Sequence, residues 1–200
     1  MNKLWLPEGH RPAHDLHIEH DTRRPGSGPM EGGGWKLLWH TTEGRDLRTM
    51  QRVLYEKNAG PHFLLGRDGT DRKHFTVVQF FPLNQGARAL RNDASDLLPT
   101  NRANCIQVEI CGYAKDAPQD YLQPGIITAM AQLTRLIENR VKIPRKAPRS
   151  FKVGTPRYTD RGFVNAEGHV GHAHAPDNDH WDPGHLNIGK VFRTIERIES

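Results

Sequence analysis

Residues 171–184 read Gly171-His172-Ala173-His174-Ala175-Pro176-Asp177-Asn178-Asp179-His180-Trp181-Asp182-Pro183-Gly184, a loop dense in histidine and carboxylate. Imidazole nitrogen and carboxylate oxygen are donors that zinc accepts, and a catalytic zinc site takes three protein ligands and keeps a fourth position for water. Metal-assisted chemistry is therefore the first hypothesis. His172 follows Gly171 at the expected end of a short strand, and Asp182 opens an Asp-Pro-Gly turn. The chain between them must fold back to bring them together, and Pro176 and Pro183 lower the entropic cost of holding that loop. A third ligand should come from a distant strand end, since one loop rarely supplies all three and leaves an open face. His40 is the best candidate, because it directly follows an apolar run and leads into the polar turn Thr41-Thr42-Glu43-Gly44. The competing explanation for His40 is a histidine that merely caps a strand. His62, His74, His169, His174 and His185 read as surface or supporting groups.

The elements that must position these side chains follow from hydrophobic periodicity. Residues 35–39 form a short apolar run, expected as a buried strand. A helix is expected over 46–58, with Leu47, Met50, Val53 and Leu54 at helical spacing and Gly60-Pro61 as its stop. Strand-like pieces follow at 62–65 and 75–81. The segment 105–111 alternates, placing Ile106, Val108 and Ile110 on one side and Gln107 and Glu109 on the other. Residues 125–141 carry an apolar stripe through Ile126, Ile127, Met130, Leu133, Ile137 and Val141, which predicts an amphipathic helix. A proline-rich basic loop over 142–160 precedes the histidine-rich segment, and a helix over 186–198 ends the chain. Strands interleaved with helices predict an α/β domain with a central mixed sheet flanked by helices and a metal cleft at the strand ends. Residues 1–34, broken by four prolines and Gly32-Gly33-Gly34, are expected as an irregular arm, with His10, His14, His17 and His20 in solvent. The folded domain is then 35–200.

A chain of 200 residues with 36% hydrophobic and 26% charged residues is long enough for one domain with a real core. Apolar runs of about five residues fall far short of a membrane span, so no membrane insertion is expected. No apolar N-terminal stretch suggests a secretory signal, which predicts synthesis in the cytoplasm. The net charge of +5 suits an anionic partner such as a cell wall or nucleic acid, without choosing between them. Cys105 and Cys111 are expected on one face of a single strand, roughly 20 Å apart, as buried thiols and not a disulfide.

Four segments occur in order: Trp39-His40-Thr41-Thr42-Glu43-Gly44, Phe63-Leu64-Leu65-Gly66-Arg67-Asp68-Gly69, Ile106-Gln107-Val108-Glu109-Ile110-Cys111-Gly112, and Gly171-His172 with Asp182-Pro183-Gly184. Together they resemble the zinc-dependent N-acetylmuramoyl-L-alanine amidases of the amidase-2 and peptidoglycan-recognition-protein type, over about residues 35–190. The form of the 174–184 segment looks especially like lysins of phages that infect actinobacteria. The resemblance implies one zinc ion held by His40, His172 and Asp182, with Glu109 acting in catalysis on the central strand. Two residues before the last ligand such amidases commonly carry a lysine that steadies the developing oxyanion; this chain has His180 there. A neutral imidazole can donate a hydrogen bond but brings no full charge. The implied substrate is bacterial peptidoglycan, cut between N-acetylmuramic acid and L-alanine by a monomeric phage endolysin acting on the wall after release. A non-catalytic peptidoglycan-binding module of the same fold, or a metal-dependent nuclease, are the alternatives. Against the nuclease, basic residues are scattered and no aromatic stacking platform is visible, so no nucleic-acid partner is expected.

Overall fold

The computed structural model describes residues 4–11, 16–69, 74–117, 123–151 and 155–200. Its strands are β1 (Gly9–Arg11), β2 (Leu16–His20), β3 (Lys36–Thr41), β4 (Phe63–Gly66), β5 (Phe75–Gln79), β6 (Cys105–Ile110) and β7 (Gly168–Gly171). Its helices are α1 (Leu47–Glu56), α2 (Ile126–Glu138), α3 (Asp160–Asn165) and α4 (Ile188–Glu199). The strands form one seven-stranded sheet in the order β1-β2-β5-β4-β6-β3-β7. Pairing is antiparallel at β1/β2 and β5/β4 and parallel elsewhere. The expected mixed sheet flanked by helices is what the chain adopts.

Burial on both faces explains the apolar runs. On one face, Leu37, Trp39, Phe63, Leu65, Ile106, Val108 and Ile110 join α2 and α4 in the main core, through side chains such as Met130, Leu133, Val191 and Ile195. On the other, Leu47 and Leu54 of α1 pack with Leu64 and Val78, while Phe163 of α3 packs with Leu38, Cys105 and Val170. Asp46 caps α1 by accepting from the Thr49 N–H at 2.7 Å. Cys105 and Cys111 are buried free thiols on that second face, and burial pushes Cys105 up to about 12, which keeps it an inert thiol.

The N-terminal segment departs from expectation. Within the segment expected as an irregular arm, the described residues include two strands: β2 pairs in parallel with β5, from Leu16↔Phe75 to His20↔Gln79, and β1 closes the sheet edge. Leu6, Leu16 and Ile18 enter the main core. The folded unit therefore extends beyond 35–200. His17 and His20 do border the surface, His20 setting its Nε2 2.8 Å from the Leu6 carbonyl oxygen; His14 lies outside the described residues.

Candidate active site

Three parallel strands end at one place. His40 is the fifth residue of β3, Glu109 is its register partner on β6, and His172 directly follows β7. Ligand sites of α/β sheets lie at such carboxyl ends of strands. The loop after His172 opens with a short 3-10 turn, His172–His174. His174 fastens it: its Nδ1 accepts the Gly171 N–H at 2.9 Å, and its Nε2 lies 3.0 Å from the Ser150 carbonyl oxygen. Ala173 donates its N–H to the Asp182 carbonyl at 2.9 Å, which draws the far end of the loop back beside its start.

The convergence inferred from residue types is present in space. Nδ1 of His40 and Nδ1 of His172 are 3.0 Å apart, His172 Nδ1 lies 3.2 Å from Asp182 Oδ1, and His40 Nδ1 lies 3.5 Å from Asp182 Oδ2. One donor atom from each residue falls within 4.8 Å of the others, and all three residues are buried. Around a tetrahedral ion with 2.0–2.2 Å bonds, ligand atoms sit about 3.3–3.6 Å apart. The two imidazole nitrogens, and each nitrogen with one or the other Asp182 oxygen, lie close to that spacing, so the three residues fit a metal such as zinc. Protonation agrees with that use. Burial, then the neighbouring His172, lowers the His40 pKa to about 4, keeping the imidazole neutral. Burial alone would raise the Asp182 carboxyl, but hydrogen bonds from His172, His180 and His40 outweigh it and hold the group well below the usual carboxylate range. His40 Nε2 is buried without a hydrogen-bond partner among the described residues. Asp182 Oδ2 also accepts the Thr41 N–H at 3.2 Å, which anchors the carboxylate to the end of β3.

Glu109 stands beside the triad, with Oε1 3.9 Å from His40 Nδ1 and Oε2 buried without a hydrogen-bond partner among the described residues. Desolvation, then the charges of Asp182 and Glu43, raises its pKa well above the ordinary carboxyl value. Such a group is poised to hold a proton. His180 stacks on His172 with ring centroids 4.0 Å apart and sets its Nδ1 3.3 Å from Asp182 Oδ1. The hydrogen bond to Asp182 raises its pKa. A cleft of about 370 Å³ opens over these groups, lined also by Thr42, Glu43, Met50 and Trp181.

Over residues 35–185 the chain matches the profile of the Amidase_2 family, N-acetylmuramoyl-L-alanine amidase. The chain belongs to this family. As such it is an amidase, and a peptidoglycan amidase by class. Two solved structures share the fold of this amidase. The endolysin N-acetylmuramoyl-L-alanine amidase LysCS from Clostridium intestinale URNW superposes with a TM-score of 0.53 at 13% identity, covering 94% of this chain and 98% of that one. A selenomethionine derivative of AmpD superposes with a TM-score of 0.54 at 14% identity, covering 98% of each chain. No curated protein matches the amidase significantly in sequence.

Several of the amidase's site features were not read from sequence. Glu43 holds a backbone of positive φ (53°) and accepts hydrogen bonds from Thr41 Oγ1 and the Ala114 N–H, both at 2.8 Å. Its place in the His-Thr-Thr-Glu-Gly turn was visible, but its partner at Ala114 is remote in sequence. Of the histidines expected as surface or supporting groups, His62, His169 and His174 are buried and take the supporting place. His62 accepts the Gln107 N–H at Nδ1, and His169 accepts the Trp39 indole N–H at 3.1 Å, so both brace the strands behind the site.

Proposed function

We propose that the chain is a zinc-dependent amidase that hydrolyses the bond between the lactyl group of N-acetylmuramic acid and the L-alanine of the stem peptide. The observation that carries this reading is the meeting of His40, His172 and Asp182 beside the buried Glu109. The donor set is that of a zinc site with a position left for water, and it would hold one ion per chain. Zinc in that place supplies a Lewis acid for the amide carbonyl and lowers the pKa of a bound water. Glu109 serves as general base and then general acid, taking a proton from the attacking water and giving it to the departing alanine nitrogen. Its burial favours the protonated form needed for the second step. His180 donates a hydrogen bond to the tetrahedral oxyanion, replacing the lysine of similar amidases. Its hydrogen bond to Asp182 raises its pKa, which favours the cationic form suited to that task. His172 and Asp182 orient His180 by stacking and hydrogen bonding.

The biological role proposed is that of a phage endolysin acting on the host wall. The form of the 174–184 segment supports it, and no helix among the described residues is long and apolar enough to cross a membrane. Purified wall digested by the protein should yield new L-alanine amino termini without new reducing sugar ends. Metal analysis should give about one zinc per chain, lost in His40→Ala and Asp182→Ala. New reducing ends would instead indicate a glycosidase, digestion of DNA alone a nuclease, and wall binding without cleavage a non-catalytic module.

A further inference from the structure

Among the described residues only two large apolar side chains are exposed, Leu97 and Trp181, the latter at 51%. A lone exposed leucine on a surface is ordinary. Trp181 is different, because it lines the cleft with Glu109, His172, His180 and Asp182. Its ring continues a ladder of near-parallel planes: His180 lies 18° from His172, and Trp181 lies 17° from His180 with centroids 6.2 Å apart. The ladder runs from the buried ligand set out into the open cleft.

Two spaces meet at this ladder. The cleft that includes Trp181 is also lined by Met50, Val53 and Leu54 of α1. A second space of about 200 Å³ shares Ala89, His172 and His180 with it, and is lined by Arg91, Asp177 and Asp179. The scissile amide joins two unlike groups, an uncharged pyranose ring and a peptide bearing charges. A pyranose has a flat face of C–H bonds that are weakly positive, and the face of an indole is negative, so the two stack. The second space, with Arg91, Asp177 and Asp179, matches the charged peptide. The α1 side of the cleft offers Met50, Val53 and Leu54 to the sugar with Trp181, although Glu43 and Lys57 line that cleft too.

From this juxtaposition we propose that Trp181 is a sugar-stacking platform, binding the muramoyl pyranose on the α1 side of the amide and so setting the enzyme's preference for glycan-linked substrate. This inference rests on the muramoyl amide being the bond that is cut. Stacking on a flat ring is worth roughly tenfold or more in affinity per platform residue.

The test compares an N-acetylmuramoyl-L-alanyl peptide with the same peptide whose lactyl oxygen carries a methyl group in place of the sugar. Wild-type enzyme should prefer the muramoyl substrate in kcat/KM, and Trp181→Ala should shrink that preference about tenfold or more, mainly through KM. Trp181→Phe should retain most of it. An equal loss on both substrates would show that Trp181 only steadies His180, and no loss on either would also overturn the proposal. A loss that grows with peptide length and ignores the sugar would assign the platform to the peptide and overturn it as well. The peptide-free disaccharide of N-acetylglucosamine and N-acetylmuramic acid provides a readout independent of turnover. It should shift the indole resonance that disappears in Trp181→Phe. A shift without hydrolysis of either substrate would sink the amidase reading while supporting the sugar site; hydrolysis with neither a shift nor a changed preference would do the reverse.

Discussion

At the scale of single residues the proposed mechanism separates holding a metal from moving a proton. Glu109 lies 3.9 Å from His40 at its nearest oxygen, and its second oxygen has no hydrogen-bond partner among the described residues, an arrangement unlike a close structural ion pair. Glu109→Gln keeps size and burial and removes the base. We expect kcat to fall by about 10²–10⁴, with zinc content unchanged; assay of released amine together with metal analysis checks both. A full rate would remove Glu109 from the mechanism. In the proposed mechanism His180 is the oxyanion donor, and its removal should cost about 10²–10³ in kcat. His180→Ala should show that loss while KM barely moves, and His180→Lys should recover most of it by placing a cation there. If the lysine variant is no better than the alanine one, stacking on His172 matters more than donation. The meeting of His40, His172 and Asp182 was legible in sequence because a metal site would demand few residue types, and because His40 and His172 each end an apolar strand pattern. Buried His62 and His169 were not, since a single histidine has no period. Their burial is decided by Gln107 and Trp39, which bond to them across the sheet.

At the scale of elements the N-terminal strands are where pattern and structure part. The segment Leu16-His17-Ile18-Glu19-His20 alternates, but it is short, carries two histidines, and follows a stretch broken by Pro7 and Pro12, so its composition resembles a solvated tail. What makes it a strand is the parallel partner β5, a tertiary choice that local composition does not encode. The core elements were easier: β3, β6 and α2 each bury apolar patterns, and only their ends shifted. The strand expected at 35–39 runs from Lys36 to Thr41, so His40 lies within it, fixed by β6 pairing. Leu16 is fully buried between β1 and β5, so Leu16→Ala should destabilise the protein by about 2–5 kcal/mol. The exposed Leu97→Ala should stay within about 0.5 kcal/mol. Urea unfolding followed by circular dichroism compares them. Equal midpoints would mean that residues 4–20 are an appendage to a domain that stands without them.

For the whole molecule, burying neutral histidines makes folding sensitive to acid. His62 and His169 sit away from the ligand set, and desolvation lowers their pKa values to about 4 and about 3, from an ordinary 6.5. Between pH 6.5 and about 4 the unfolded chain therefore binds protons that the folded chain refuses, so stability rises with pH through this window and is lost as pH falls. The gap at His62 corresponds to about 3 kcal/mol over the whole window. In zinc-stripped protein His40, at about 4, adds the same sign. Glu109 acts in the opposite direction. Its raised pKa means the folded state keeps a proton that the unfolded chain releases above about 4.5, which lowers stability as pH rises. Glu109→Gln removes that opposition. The stability of the stripped variant should therefore climb more steeply than wild type between pH 5 and 6.5, by up to about 1.4 kcal/mol per pH unit. Urea midpoints across that range measure the slope, and the imidazole resonances of His62 and His169 should stay in the neutral position down to about pH 4. Parallel slopes for the two proteins would mean that Glu109 is already ionised in the metal-free fold, which would overturn the raised carboxyl pKa while leaving the group ready to accept the proton of water.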